Sequence, residues 1–288
     1  MTRAALILAM FIVLVVGGRP PLAVAADPRA VDELLALSGA KRQIEQLNGH
    51  LATHRKYSYK NLPPEMKSRL DAIFDAAYDP PAIVADVRNA LLQEFDARRG
   101  ALVLGFLRSP LVRAMTQLEV EADAPEAEPE LRAFALRLRS TPPDPARLAL
   151  VQRLDVAARQ TELSMAFMLS SLRSLAAIAN VALPPNQRRT PEQVEKELAT
   201  ARSQLEHVAK ETVSVRGLFT YRSVADDDLR AYVEFHESEM GRWFMDLLTR
   251  AMTGAVERSA AAAAKRSLDE IRKEDDRRCV GLPCRPTP

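Results

Sequence analysis

The stretch FHESEMGRWF, Phe235 to Phe244, places His236 beside Glu237 and comes within one residue of the zinc-hydrolase pattern H-E-x-x-H. That chemistry needs two histidines one helical turn apart, so that both imidazoles reach one metal while the glutamate polarises the bound water. Met240 stands where the second histidine belongs, and a thioether is a poor ligand for a hydrolytic zinc. Positions 229, 233, 236, 240, 243 and 247 read Leu, Val, His, Met, Trp and Leu along one helical stripe, which puts His236 at the edge of an apolar face. His50 and His54 are the better metal candidates, being one turn apart; Arg55, Lys56 and Lys60 beside them favour a polar helix end. His207 has no local partner in SQLEHVAKE.

Other chemistries find less support. There is no G-x-S-x-G elbow for a serine nucleophile and no glycine-rich phosphate loop. Carboxylate spacing discriminates nothing in a chain with 38 acids. Met165, Met168, Met240, Met245 and Met252 crowd the second half, where flexible thioethers suit either an adaptable binding surface or, as preferred here, an ordinary core. No catalytic residue and no cofactor is expected. Cys279 and Cys284, in the tail CVGLPCRPTP, match neither a redox nor a haem motif; in an oxidising compartment they are expected to close a small disulfide loop.

The elements that would position these residues read as almost entirely helical. Asp27-Pro28, Asp79-Pro80, Ser109-Pro110, Asp144-Pro145 and Thr190-Pro191 each set a capping oxygen before a proline, which has no amide to leave unsatisfied in the first turn. Gln193 completes a capping box with Thr190, and Ser223 with Asp226 offers a weaker start. Apolar residues follow the helical period, as in Leu70, Ile73, Phe74 and Ala77, then Ile83, Val87, Leu91 and Phe95. Strand-like alternation is scarce, so the expected fold class is all-α: a helical bundle with a flexible C-terminal tail.

Arg3, the apolar run Ala4 to Val16 and the small residues Ala23, Ala25 and Ala26 have the layout of a cleaved secretory signal over residues 1–26. The run is shorter than the ~20 residues of a membrane span, and no later segment reads as long and apolar enough. An uncleaved anchor is the alternative. The expected product is soluble and periplasmic. The net charge of +2 falls to zero when Arg3 and Arg19 leave with the signal, leaving no electrostatic case for nucleic acid.

The remaining chain divides into a first helical module at 27–120, an acidic and proline-rich connector at 121–146 with a short helix, a second module at 147–256, and a helical extension with a tail at 257–288. The modules look like copies. An offset of 129 aligns Phe106 with Phe235, Ser109 with Ser238, Arg113 with Arg242 and Leu118 with Leu247, and an offset of 117 sets Arg42-Gln43 against Arg159-Gln160.

LLALSGAKRQIEQL at 34–47, with a later Phe-x-x-Ser-Pro segment and an Ala-Met pair, resembles the exported bacterial proteins catalogued as domain of unknown function 2059 (DUF2059). The family pattern, roughly Phe-x-x-Ser-Pro-x-Gly between two helices, is incomplete in both copies. Phe106, Ser109 and Pro110 are followed by Val112 in place of glycine, whereas Phe235, Ser238 and Gly241 carry Glu239 in place of proline. The resemblance implies an all-helical envelope protein, potentially a homodimer, and transfers no catalytic residue. The functional expectation is a non-enzymatic, protein-binding or chaperone-like envelope factor acting on an unidentified envelope protein. The alternatives are an envelope hydrolase or metal-binding protein whose site assembles only in three dimensions, and a carrier of apolar ligands.

Overall fold

The computed structural model describes residues 27–46 and 63–279. The signal segment, His50, His54 and Cys284 lie outside the described residues, as do the side chain of Cys279 and the tail beyond it. Among the described residues every regular element is helical: α1 (Pro28–Leu37), α2 (residues 40–46), α3 (Pro64–Ala77), α4 (Pro80–Glu94), α5 (Ala97–Leu107), α6 (Pro110–Ala122), α7 (Glu128–Ser140), α8 (Pro145–Ala158), α9 (Gln160–Ala182), α10 (Pro191–Thr220), α11 (Asp226–Glu237) and α12 (Glu239–Cys279), with single 3-10 turns at Pro125–Ala127 and Pro185–Gln187. The all-α expectation holds.

The capping residues act as their chemistry requires. Asp27, Asp79, Ser109 and Asp144 each accept a first-turn amide, and Thr190 and Gln193 form a reciprocal capping box. Ser223 does not cap: α11 starts after Ala225, which offers no side-chain bond, and Asp226, Asp227 and Asp228 instead bring negative charge to its amino end. At the α8–α9 turn Arg159 takes the left-handed conformation with φ 53°. Asp155 holds that turn, accepting 2.7 Å bonds from both the amide and the hydroxyl of Thr161. Asp155→Ala leaves both donors without their acceptor at a half-buried turn and is expected to cost about 1–2 kcal/mol in equilibrium urea unfolding.

The packing repeats across the two halves. α1 packs on α4 and α5, and α8 packs on α10 and α11. The last helix of each half then crosses to the other: α12 lies against α4 and α5, while α6 lies against α10 and α11. One hydrophobic core therefore draws on both halves, running from Leu34, Phe74 and Leu91 through Leu154 and Val233 to Leu247. The 129-residue offset that pairs Phe106 with Phe235 also pairs Arg108 with Glu237. Arg108 forms a two-bonded ion pair with Glu33 between α5 and α1, and Glu237 forms one with Arg153 between α11 and α8, so the same joint is closed with its charges exchanged. The turn after the first helix of each half is less regular. It falls at Gly39 (φ 76°) in one and at Arg159 in the other, so Arg42 sits inside a helix whereas Arg159 makes the bend.

The helical extension continues the last core helix: α12 runs without a break across residue 256, and Ala260, Ala263 and Ser267 are buried. One expectation changes at α9: Gln160–Val181 is long and apolar enough to cross a membrane by length and composition, with a mean hydropathy of 1.3 and about a third of its most apolar stretch buried. Its small residues explain how it sits among other helices. Ser170 and Ser174 are fully buried, and the Tyr78 hydroxyl lies 2.7 Å from Ser174 Oγ, where α9 meets α3.

Candidate functional site

Where the halves cross, α6, α10 and α11 leave a cavity of about 500 Å³ whose wall also draws on α2, α4, α5, α8, α9 and α12. Most of the wall is apolar, with Leu154, Leu163, Phe167, Phe244 and Leu248 among its members. Met245 and Met252 contribute their thioethers, whereas Met165 belongs to a separate small cluster between α9 and α10, against which Met168 packs.

The charged part of the wall is compact and spans both halves. Helical spacing along α6 brings Val112, Met115, Thr116, Glu119 and Asp123 to its inner side. Glu119 Oε1 accepts hydrogen bonds from two tyrosine hydroxyls of the second half, Tyr221 at 2.6 Å and Tyr232 at 2.9 Å. One turn on, Asp123 accepts from Arg216 Nη1 at 2.9 Å and from Gln43 Nε2 at 3.4 Å, while Arg216 also donates to the Ala122 carbonyl at 3.2 Å. Arg216 thus clamps the carboxyl end of α6, where a cation complements the exposed carbonyls.

Burial raises the Glu119 carboxyl to about 7; the two tyrosine hydroxyls oppose that rise and the nearby Asp123 charge adds to it. Tyr221 and Tyr232 are pushed far up, first by burial and then by the Glu119 charge, so both remain donors at any ordinary pH. His236 is 6 % exposed and lies edge-on to the Tyr232 ring. Its Nδ1 sits 2.9 Å from the Tyr232 carbonyl, and burial holds it below its ordinary value, against the pull of that bond. The imidazole is therefore neutral at pH 7, with Nδ1 as the protonated nitrogen if it serves that carbonyl.

The near miss for a zinc site resolves into two unrelated roles: His236 faces the cavity, and Glu237 points away to its ion pair with Arg153. Among the described residues no three His, Cys, Asp or Glu side chains gather to hold a metal. The repeat residues build the frame beside the cavity. Phe106 and Phe235 stack on each other with planes 12° apart, so equivalent residues of the two halves meet directly. Ser109 Oγ accepts the Val112 amide at 3.3 Å, and Ser238 Oγ accepts the Gly241 amide at 3.0 Å, opening α6 and α12 respectively. Pro110 fills the first helical position of α6.

Sequence reasoning passed over Glu119, Asp123, Arg216, Tyr221 and Tyr232. The available signal was an acid at the inner spacing of an otherwise apolar helix face, obscured because Glu119 opens the acidic run EVEADAPEAEPE.

Fold and site together define, among the described residues, an all-helical bundle of two intertwined halves around a largely apolar cavity that carries a compact charged cluster. Comparison with known protein families, with curated proteins and with solved structures finds no match.

Proposed function

We propose that this chain is a non-enzymatic binder of small, mainly apolar molecules in the bacterial envelope. The carrying observation is the cavity of about 500 Å³, which is within the range that holds drug-sized ligands and combines an apolar wall with a few convergent polar groups. A core of this size ordinarily closes its voids, because unfilled space forfeits packing energy. The Arg3, Ala4–Val16 and Ala23-Ala25-Ala26 pattern supports export to the periplasm through a cleaved signal, and the Phe-x-x-Ser segments support kinship with DUF2059.

Neutral pyrene, followed by its fluorescence, should bind at about one molecule per chain. Ser164 lines the cavity from α9 as a small side chain, so Ser164→Trp should fill the space and weaken uptake by about tenfold or more while the protein remains folded. Absence of uptake, or uptake indifferent to Ser164→Trp, would remove the reading.

A second reading, contact with an envelope protein, draws on α9, an apolar helix of whose most apolar stretch only about a third is buried. Photo-crosslinking from Leu172 on α9 in intact cells should then give a discrete protein adduct, and adducts no more frequent than from Lys196 on α10 would count against it.

A further inference from the structure

We infer that the molecule held in the cavity carries one basic nitrogen, which docks on Glu119 Oε2 as an ammonium. The inference rests on the cavity being a binding site and specifies what that site selects.

Among the described residues, three groups that carry charge at neutral pH line the cavity: Glu119, Asp123 and Arg216. His236 is buried and neutral, and Tyr221 and Tyr232 are uncharged donors. Arg216 is committed to Asp123 and to the Ala122 carbonyl, so its charge is spent on the end of α6. Among the described lining residues, the Glu119 carboxylate therefore has no cation of its own when it is ionised.

The geometry around Glu119 shows where the missing charge fits. Both tyrosine hydroxyls converge on Oε1. Oε2 has no hydrogen-bond partner among the described residues, and it is not among the buried atoms left unsatisfied, so it is accessible on a side chain that lines the cavity. An unpaired acceptor so placed, on a wall with a large apolar share, suits a donor arriving with the ligand, and an ammonium makes a stronger bond to a carboxylate than a hydroxyl does. A carboxylate-headed ligand would meet two acids and an arginine already paired. The remaining wall, from Leu163 and Phe167 to Leu248 and Met252, would accept an alkyl or aryl body.

The test is calorimetric titration of the mature chain at pH 8 with decylamine, decan-1-ol and decanoate, each below its aggregation concentration, repeated on Glu119→Gln. The expected result is decylamine tighter than decanol by about tenfold or more in the wild type. Glu119→Gln should bring decylamine to within about threefold of decan-1-ol, and thermal melting should show the variant folded. If decanol binds but decylamine binds no better, if decanoate binds most tightly, or if the amine preference survives Glu119→Gln, the basic-nitrogen assignment is overturned and the cavity reading stands. If none of the three binds, both fall.

Discussion

Gly241→Ala is expected to destabilise the protein by about 3 kcal/mol, a large effect for a single methyl group. A Cβ at this position would run into the Phe235 carbonyl oxygen and lie 2.7 Å from His236 Cα and 2.8 Å from His236 O. All three are backbone atoms of the preceding helix, which cannot swing aside as the end of a side chain would. The equivalent residue of the first half, Val112, carries a full side chain, and the difference lies in the joint. α5 stops at Leu107 and Arg108 intervenes before the capping Ser109, whereas α11 continues through Glu237 to the residue before Ser238. α12 therefore starts against the last carbonyls of α11. Opening that joint would also shift Phe235 on Phe106 and His236 on the cavity wall. Urea unfolding of Gly241→Ala measures the loss, and Gly105→Ala is the control. No atom lies within 4 Å of a Cβ at Gly105, so alanine there should be neutral or stabilising by about 0.5–1 kcal/mol. Equal effects at the two glycines would refute the steric account.

Local chemistry made the helix starts legible. A capping oxygen followed by proline satisfies one orphan amide and removes another, and it needs nothing from the rest of the fold, so Asp27, Asp79, Ser109, Asp144 and Thr190 could be read directly. The Phe106 and Phe235 match pointed to a repeat, but the stacking of the two rings depends on how the halves cross, which periodicity does not encode. The polar cluster was hidden for the same reason. Glu119 is separated from Tyr221 and Tyr232 by about a hundred residues, and its neighbours Glu121 and Asp123 make the segment look like solvated surface. A single acid on an apolar stripe becomes a site only when another half supplies its donors. His236 shows the converse: its place on an apolar face was legible, and the face turned out to border a cavity.

Glu119 should also set how stability varies with pH. In the unfolded chain its carboxyl titrates at the ordinary 4.5, and in the fold at about 7. Between those values the native state binds the proton that the unfolded chain has released, so the contribution is complete below about 4.5 and is lost as pH rises through about 7. At about 1.4 kcal/mol per pH unit the loss is about 3.5 kcal/mol, most of it complete by pH 6.5. His236 works with the opposite sign. Burial lowers its titration, so stability is gained as pH rises toward its ordinary 6.5 and the two groups partly cancel on the acid side. Exposed acids held below their ordinary values by arginines, such as Asp32 with Arg88 and Glu33 with Arg108, contribute only at lower pH. Among the described groups shifted from their ordinary values, Glu119 is the one that changes charge between pH 6.5 and 8, and the wild type should weaken by about 1 kcal/mol over that interval. Glu119→Gln retains an oxygen for Tyr221 and Tyr232 but has no proton to lose, so its stability should stay level over that interval and exceed the wild type at pH 8. Urea unfolding of both proteins at pH 5, 6.5 and 8 measures this directly, and parallel profiles would show that the carboxyl is not held protonated by its surroundings. A bound ammonium would reverse the preference by stabilising the ionised form, so adding decylamine at pH 8 should restore stability to the wild type and not to Glu119→Gln.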